Sequence, residues 1–193
     1  MWYERDLDRL MVRTAARPVA AGRIGAGGAL AFAAALIGGG VVLMALAVSW
    51  AAALMLALTI AFYGVVYTMW LKRATALNVL VGGGVASVLT PLTGWVAATG
   101  SLSTEAVALF AFLLPWTPPH VWSQALVRRD DYARAGVPMM PLVAGSERTR
   151  ALIVLLTATH AALALLPVAI GAAGPLFAVT ALLLNVAERK REA

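Results

Sequence analysis

Two acidic clusters are the most chemically suggestive features of a largely apolar chain. The first, Glu4-Arg5-Asp6-Leu7-Asp8, separates Glu4 and Asp8 by four residues, so a helix would carry both on one face. Two carboxylates at that spacing suit Mg²⁺, which binds one or two carboxylates together with substrate phosphates. Asp130 and Asp131 would supply a second carboxylate set. The alternative for both clusters is a solvated segment held by ordinary ion pairs.

Basic residues accompany the acidic ones. Arg13 and Arg17 continue the four-residue step beyond Asp8, and a guanidinium group binds phosphate oxygens well. Lys72 and Arg73 follow a long apolar run. Such a pair is either an anchor at the membrane interface or a cationic clamp on a departing diphosphate. The spacing alone does not decide between these two interpretations.

Some polar side chains fall inside apolar runs, where each should have a specific partner. One is Asn78, and another is His120 within Trp116-Thr-Pro-Pro-His120-Val-Trp122. Paired prolines interrupt a helix, and such a break in a membrane span is tolerated where the backbone lines a protein cavity. His120 is therefore either a cavity residue or a hydrogen-bonded packing residue. His160 lies in an unbroken run and is expected to pack between helices.

The elements that must position these residues are membrane helices. Of the 193 residues, 62% are hydrophobic and 12% charged, which excludes an ordinary soluble domain. A helix needs about 20 apolar residues to cross a bilayer, and we expect about six such helices in a single membrane domain over residues 1–193. The expected spans are 24–48, 50–71, 74–100, 106–127, 151–171 and a short one at 175–187. The glycine runs 38–40 and 82–84 are expected at close helix contacts.

The charges alternate between the two ends of these spans. All 15 Lys and Arg residues lie in residues 1–23, the 72–73 turn, the 128–150 loop or the C-terminal end. Every acidic residue except Glu105 lies there too. Basic loops are cytoplasmic in membrane proteins, so we expect 1–23 and 128–150 to be cytoplasmic segments that carry the first and second acidic motifs. The net charge of +6 then reflects orientation in a lipid bilayer, and no nucleic-acid partner is expected.

Five runs together resemble the protoheme IX farnesyltransferases, the haem O synthase branch of the UbiA-type intramembrane prenyltransferases. They are ERDLDRLMVRTAARP (4–18), YTMWLKRATALN (67–78), PLTGW (91–95), WTPPH (116–120) and DYARAGVPMMP (131–141), in the order that the family has them. Each run alone is a weak signal, whereas the set is highly specific. The resemblance implies an all-α, polytopic transmembrane helix bundle, with about six helices of a nine-helix family fold.

The resemblance also implies an activity. Farnesyl diphosphate is ionised, and its C15 chain joins a vinyl group of haem B to give haem O. The substrates are then farnesyl diphosphate and haem B, and the enzyme lies in the bacterial inner membrane. A downstream haem A synthase or terminal oxidase assembly would receive the product.

Roles for individual residues follow from the matching motifs. The resemblance implies that Glu4, Asp8, Asp131 and Asp130 bind Mg²⁺. Diphosphate binding is implied for Arg13, Lys72, Arg73 and Arg129, of which Lys72 and Arg73 would also assist catalysis. His120 is placed nearest the haem, and Asn78, Trp116 and Trp122 are candidates for lining the cavity.

The chain departs from the family pattern at its ends. Two family helices, and the Asn that opens the first acidic motif, would precede Met1, and the last family helix is missing, so we expect a fragment or a misassigned start codon. Glu4 stands where many members have Asp. One alternative function is another UbiA-type prenyltransferase with a quinone or chlorophyllide acceptor, against which the WTPPH and DYARAGVPMMP runs argue. The others are an inactive membrane fragment and a transporter, which should show inverted halves.

Overall fold

The protein is described by a computed structural model that covers the backbone of residues 2–192 and the side chains of residues 2–181, 183 and 184. Within this range the chain is helical and contains no strand, so the predicted all-α transmembrane bundle is confirmed. The helices are α1 (Arg5–Leu10), α2 (Ala26–Ala47), α3 (Trp50–Ala61), α4 (Lys72–Ala74), α5 (Val85–Thr99), α6 (Thr104–Leu113), α7 (Thr117–Val127), α8 (Arg129–Arg134), α9 (Met140–Val143), α10 (Ser146–Leu163), α11 (Leu166–Ala169) and α12 (Pro175–Glu192).

Four segments of the described chain are long and apolar enough to cross a membrane. They are Ala26–Ala47, Trp50–Ala74, Asn78–Thr99 and Ser146–Ala169, which correspond to the first, second, third and fifth expected spans. The fourth expected span is helical but divided, because a 3₁₀ turn at Leu114–Trp116 separates α6 from α7. The sixth lies in α12, where the apolar run is short and charged residues follow it. The C-terminal basic side chains of Arg189, Lys190 and Arg191 lie outside the described side chains.

Two of these spans contain π-helical segments, in which the backbone winds in wider turns than in an α-helix. Phe62–Leu71 continues α3, and Asn78–Gly84 leads into α5. The two segments pack so closely that a Cβ atom at Gly82 would overlap the ring of Tyr67. The close contact predicted for glycines 82–84 is therefore confirmed. Glycines 38–40 face open space, with no neighbour in the described chain within 4 Å of a Cβ position.

Small polar side chains join the long helices inside the bundle. The hydroxyl oxygens of Thr59 and Thr93 lie 3.2 Å apart between α3 and α5. Those of Ser87 and Thr117 lie 2.7 Å apart between α5 and α7. Hydrogen bonds of this kind between membrane helices set how each helix is rotated about its axis, and hence which of its faces turns inward.

The charged segments that are distant in sequence gather at one end of the bundle. An apolar cluster joins Met11, Val79, Trp122, Val137 and Ile153, which come from the N-terminal segment, the second π-helical segment, α7, the 135–139 loop and α10. The hydroxyl of Tyr3 donates to the carbonyl of Met69 at 3.3 Å. The side-chain amide of Asn78 donates to the carbonyl of Pro138 at 3.4 Å. Residues 2–23, 72–78 and 128–141 therefore form one continuous surface.

Candidate active site

The first acidic motif forms a single helical turn that faces a cavity. The backbone amide of Asp8 donates to the carbonyl of Glu4 at 2.8 Å, so the two side chains stand one turn apart on the same side. Both residues line the cavity, and the Asp8 side chain is only 7% exposed. A buried carboxylate requires a charged or hydrogen-bonding partner, because desolvation of an unpaired charge is costly.

Arg17 provides that partner for Asp8. Its guanidinium Nη1 lies 2.9 Å from Oδ1 and 3.2 Å from Oδ2 of Asp8. The hydroxyl of Thr14 donates to the carbonyl of Asp8 at 3.0 Å, which folds residues 11–17 back over α1. Arg17 and Arg13 both line the cavity, so the four-residue basic step and the acidic motif face the same space.

The Lys72-Arg73 pair divides between two environments. Lys72 lines the cavity and forms an ion pair with Glu4, across 68 residues of sequence. Arg73 does not line the cavity but contacts Tyr3, which does. Its guanidinium lies 4.9 Å from the centre of the Tyr3 ring and donates to the Tyr3 carbonyl at 3.5 Å. Only one of the two predicted diphosphate ligands at this turn is thus in contact with the cavity.

The cavity has a volume of about 1110 Å³ and two chemically different ends. Ionisable side chains line its mouth: Glu4, Asp8, Arg13, Arg17 and Lys72. Apolar side chains from α2 and α3 line its interior: Leu30, Ala33, Ile37, Leu56 and Ile60. From Ala26 to Ile37 a helix rises about 16 Å at 1.5 Å per residue, so the apolar part extends deep into the bundle. The arrangement fits a long apolar chain with an anionic head.

The carboxylates of the second acidic motif do not line the cavity, although residues close to them in sequence do. Tyr132 and Val137 line the cavity. Asp131 does not, and it pairs with Arg134 one turn further along α8. Asp130 and Arg129 are exposed and also lie outside the lining.

The proline-interrupted motif places its residues on opposite faces of α7. Trp116 and His120 stack with their rings 5.2 Å apart and 9° from parallel on an outer face, whereas Trp122 is 1% exposed in the apolar cluster. Asn78 is buried, and its amide donates to the Thr75 carbonyl at 2.6 Å. None of these four side chains lines the cavity, although Val121 of α7 does.

Several lining residues were not assigned a role by the sequence. Arg17 is not one of them, because it was expected with Arg13 to contact phosphate, but the stripe Leu30, Ala33 and Ile37, which has helical spacing, is one such group. Tyr67 lies within a matching run but carried no role of its own. The sequence offers no way to tell which apolar face of a membrane helix lines a cavity, because lipid-facing and cavity-facing stripes have the same composition.

Glu4 and Asp8 fit a magnesium ion as a donor set. Mg²⁺ is a hard cation that takes one or two carboxylates and completes its shell with phosphate oxygens and water. The two carboxylates share one face of a helical turn at the cavity mouth, each next to a cationic side chain. Among the described residues no three His, Cys, Asp or Glu side chains gather around one point, so the remaining ligands would come from substrate and water.

Comparison with known proteins identifies the family of this chain. Protoheme IX farnesyltransferase of Methylorubrum extorquens is 51% identical over 183 residues, which cover 95% of this chain and 57% of that protein. The enzyme of that name from Rhodopseudomonas palustris strain BisB5 is 50% identical over 185 residues, which cover 96% of this chain and 59% of that protein. The chain therefore spans less than two thirds of the length of these relatives. No solved structure matches it. The UbiA prenyltransferase family model matches residues 1–188, and the chain belongs to that family.

Proposed function

We propose that this chain carries the prenyl-transfer site of a protoheme IX farnesyltransferase, which moves a farnesyl group from farnesyl diphosphate to a vinyl group of haem B and yields haem O. The observation that carries this proposal is the two-ended cavity, with ionisable side chains at its mouth and an apolar interior. We infer that haem B is the acceptor because the relatives are named protoheme IX farnesyltransferases.

The reaction breaks the allylic C1–O bond, and its electron pair leaves with the diphosphate. Arg13 and Lys72 lie where the departing anion would be held, and their positive charges stabilise it more in the transition state than in the bound substrate. Lys72 is paired with Glu4, so it would turn from that carboxylate to a phosphate oxygen as the substrate enters. A Mg²⁺ ion bound by Glu4 and Asp8 would supply further neutralisation of the diphosphate oxygens.

The apolar interior of the cavity would surround the farnesyl cation that forms when the C1–O bond breaks. The farnesyl cation must be sheltered from water until the acceptor attacks, and Leu30, Ile37 and Leu56 provide apolar surface that water does not solvate well. The terminal vinyl carbon of the haem then bonds to C1. Water captures the cation left on the inner vinyl carbon and loses a proton, which completes the hydroxyethylfarnesyl substituent.

The position of the site implies an orientation in the membrane. Residues 2–23, 72–78 and 128–141 share one end of the bundle and carry most of the basic residues. Basic loops remain in the cytoplasm, so this end would face the cytoplasm from a bacterial inner membrane. A haem A synthase or terminal oxidase assembly that accepts haem O would then be a partner in the same membrane.

The test compares Lys72→Gln with Arg73→Gln in lipid nanodiscs. The two residues are adjacent, but only Lys72 lines the cavity. We expect Lys72→Gln to weaken farnesyl diphosphate binding by about tenfold, the loss of one charge-assisted hydrogen bond, and Arg73→Gln to leave it nearly unchanged. Equal effects of the two substitutions would refute the assignment of the cavity mouth.

A turnover assay distinguishes haem B from a quinone precursor as the acceptor of the farnesyl group. The chain is supplied with farnesyl diphosphate, Mg²⁺ and either haem B or a quinone precursor, and prenylated products are separated by chromatography. Haem O is expected only with haem B. Prenylated quinone with no haem O would show that another UbiA-type activity is present instead.

A further inference from the structure

The ion pairs of residues 2–24 leave some of the arginines in this segment without a carboxylate. Its three acidic residues each pair with one cation: Glu4 with Lys72, Asp6 with Arg5, and Asp8 with Arg17. Among the described side chains, no carboxylate forms an ion pair with Arg9, Arg13 or Arg23. Arg13 lines the cavity, where a diphosphate would meet it. Arg9 and Arg23 remain as positive charges that the proposed reaction does not use.

Backbone carbonyls of the segment between α1 and α2 hold both of these arginines in place. The Nε atom of Arg9 donates to the Ala20 carbonyl at 2.9 Å, and Nη2 of Arg23 donates to the Ala16 carbonyl at 2.6 Å. The Ala21 amide donates to the Arg17 carbonyl at 2.8 Å, so the chain makes a helical turn here. Carbonyls four residues apart in such a turn are separated by about 6 Å. The two guanidinium groups are therefore anchored close together, and most of the five N–H donors of each stay available.

Exposed apolar side chains accompany these arginines. Leu10 is 52% exposed, Val12 77% and Ile24 48%. Successive residues of a helix are about 100° apart around its axis, so Arg9 and Leu10 face progressively away from Asp8 and from the cavity that it lines. Apolar side chains interleaved with arginines are typical of a segment that lies in the interfacial layer of a membrane, where the apolar groups contact lipid and the charges contact headgroups.

The same arginines lie at the level where the chain enters the membrane. The 22 residues of α2 have a length of about 33 Å, which is close to the thickness of the hydrocarbon core of a bilayer. The helix has no buried residue within the described chain, so other parts of that chain do not enclose its start. Arg23 comes three residues before Ala26, where α2 begins, and Arg9 is bonded to Ala20. Both guanidinium groups are therefore expected at the depth of the lipid headgroups.

We propose that this surface binds anionic phospholipid of the surrounding leaflet. We call it the arginine surface, and its residues are Arg9, Leu10, Val12, Arg23 and Ile24. Phosphate oxygens would accept hydrogen bonds from the two guanidinium groups, and the acyl chains would cover the apolar side chains. A lipid with a net negative charge is preferred, because neither arginine has a carboxylate partner among the described side chains. Such a lipid would hold α1, which carries the first acidic motif, against the start of α2.

The experiment measures the binding of single lipids to the full chain by native mass spectrometry in detergent. Phosphatidylglycerol is compared with phosphatidylcholine that has identical acyl chains, and the unaltered chain is expected to prefer phosphatidylglycerol. An arginine near an anionic membrane surface contributes about 1 kcal/mol, which is about fivefold in affinity. Arg9→Gln and Arg23→Gln should therefore each weaken phosphatidylglycerol binding by about fivefold and leave phosphatidylcholine binding nearly unchanged.

Arg134→Gln is the matched control. Arg134 lies at the same end of the bundle, and its substitution removes the same charge, but this charge is already paired with Asp131. We expect it to change phosphatidylglycerol binding much less than either substitution in the arginine surface. The double variant Arg9→Lys/Arg23→Lys keeps both charges and should keep the preference for phosphatidylglycerol. Equal losses in Arg134→Gln and Arg9→Gln would show that net charge alone attracts the lipid, and would overturn the proposal.

The position of the lipid is tested on the unaltered chain. Phosphatidylglycerol with a photoactivated diazirine in its headgroup is incorporated into nanodiscs with the chain, and cross-linked residues are identified by peptide mass mapping. We expect cross-links within residues 9–24. Cross-links confined to the 128–141 segment would refute the assignment, whether or not the substituted chains fold.

Two further outcomes would assign the arginine surface to another occupant. Glycerol 3-phosphate has the same phosphate group without acyl chains, so equal binding of this soluble anion would show that lipid is not required. A dimer in the native mass spectra that Val12→Ser dissociates would show that a second copy of the chain covers the surface. We expect neither result.

Amide hydrogen exchange tests the link between α1 and α2. Exchange in residues 5–17 should be slower in nanodiscs that contain phosphatidylglycerol than in phosphatidylcholine alone. This difference should disappear in the double variant Arg9→Gln/Arg23→Gln. Exchange that does not depend on the lipid in the unaltered chain would contradict the proposed restraint of the first acidic motif.

Discussion

At the scale of single residues, the cavity mouth is built from carboxylates that each contact one cation. Asp8 is held by Arg17 and Glu4 by Lys72, so the acidic motif is neutralised within the protein. The two pairs differ in origin. Arg17 approaches Asp8 across a short folded segment, whereas Lys72 approaches Glu4 from the end of a separate membrane span. The first pair should therefore govern local folding, and the second should respond to ligand.

The first prediction concerns Arg17. Removing one partner of a buried pair leaves an uncompensated charge, which typically costs about 3–5 kcal/mol. Since the Arg17 side chain is 37% exposed, we expect Arg17→Ala to lower the free energy of unfolding by about 1–3 kcal/mol. The control is Arg5→Ala, because Arg5 faces the exposed Asp6 at 3.8 Å, a pair worth about 0–1 kcal/mol. Thermal unfolding in nanodiscs would contradict this account if both substitutions lowered the midpoint equally.

At the scale of elements, the two π-helical segments bring Lys72 to the N-terminal motif. Phe62–Leu71 carries Tyr67 into the cavity wall, and Asn78–Gly84 returns the chain beside it. The contact between them depends on the missing side chain of Gly82. A wider helical turn and a glycine at the same level let two backbones approach closely, so the position of Lys72 depends on this contact.

The second prediction tests that contact. Gly82→Ala would push a methyl group into the Tyr67 ring, and overpacking of this kind costs about 1–3 kcal/mol. Gly83→Ala is the matched control, because a Cβ atom there would meet the Tyr67 ring at an ordinary 3.8 Å. We expect only Gly82→Ala to lower the unfolding midpoint and to weaken farnesyl diphosphate binding. Similar behaviour of the two variants would mean that the segments have room to separate.

At the scale of the whole molecule, the cavity runs from the charged end of the bundle into a space between α2, α3 and α5. Its mouth belongs to segments far apart in sequence, and its apolar part is lined on one side by α2. Leu30, Ala33 and Ile37 lie on one face of that helix at three- and four-residue spacing. Ala33 is the smallest of the three, so a larger side chain at that position would extend into the cavity.

The third prediction follows from the small side chain of Ala33. Ala33→Phe should obstruct the apolar part of the cavity and weaken binding of farnesyl diphosphate by about tenfold, the effect of excluding one or two methylene groups from an apolar site. Geranyl diphosphate, which is one isoprene unit shorter, should lose less affinity. Ala35→Phe is the control, because Ala35 is exposed and lies outside the lining. Equal loss for both lipids would place the prenyl chain elsewhere.

The sequence by itself determined the class of the protein and the local grouping of its charges. Apolar runs of membrane length predict helices regardless of context, because a backbone in lipid must satisfy its own hydrogen bonds. The pairing of Glu4 and Asp8 on one face follows from helical geometry alone. The family motifs added the activity proposed for the chain.

Only the tertiary structure decided which side chains meet in the cavity. Lys72 and Arg73 are neighbours in sequence, but only Lys72 lines the cavity, and Asp131 pairs with Arg134 outside the lining. Trp116 and Trp122 occupy opposite faces of α7. A sequence records the spacing of residues along a helix, whereas the direction that each face takes is set by rotation of the helix against its neighbours. That rotation depends on contacts such as Gly82 with Tyr67 and Thr59 with Thr93, which join residues distant along the chain.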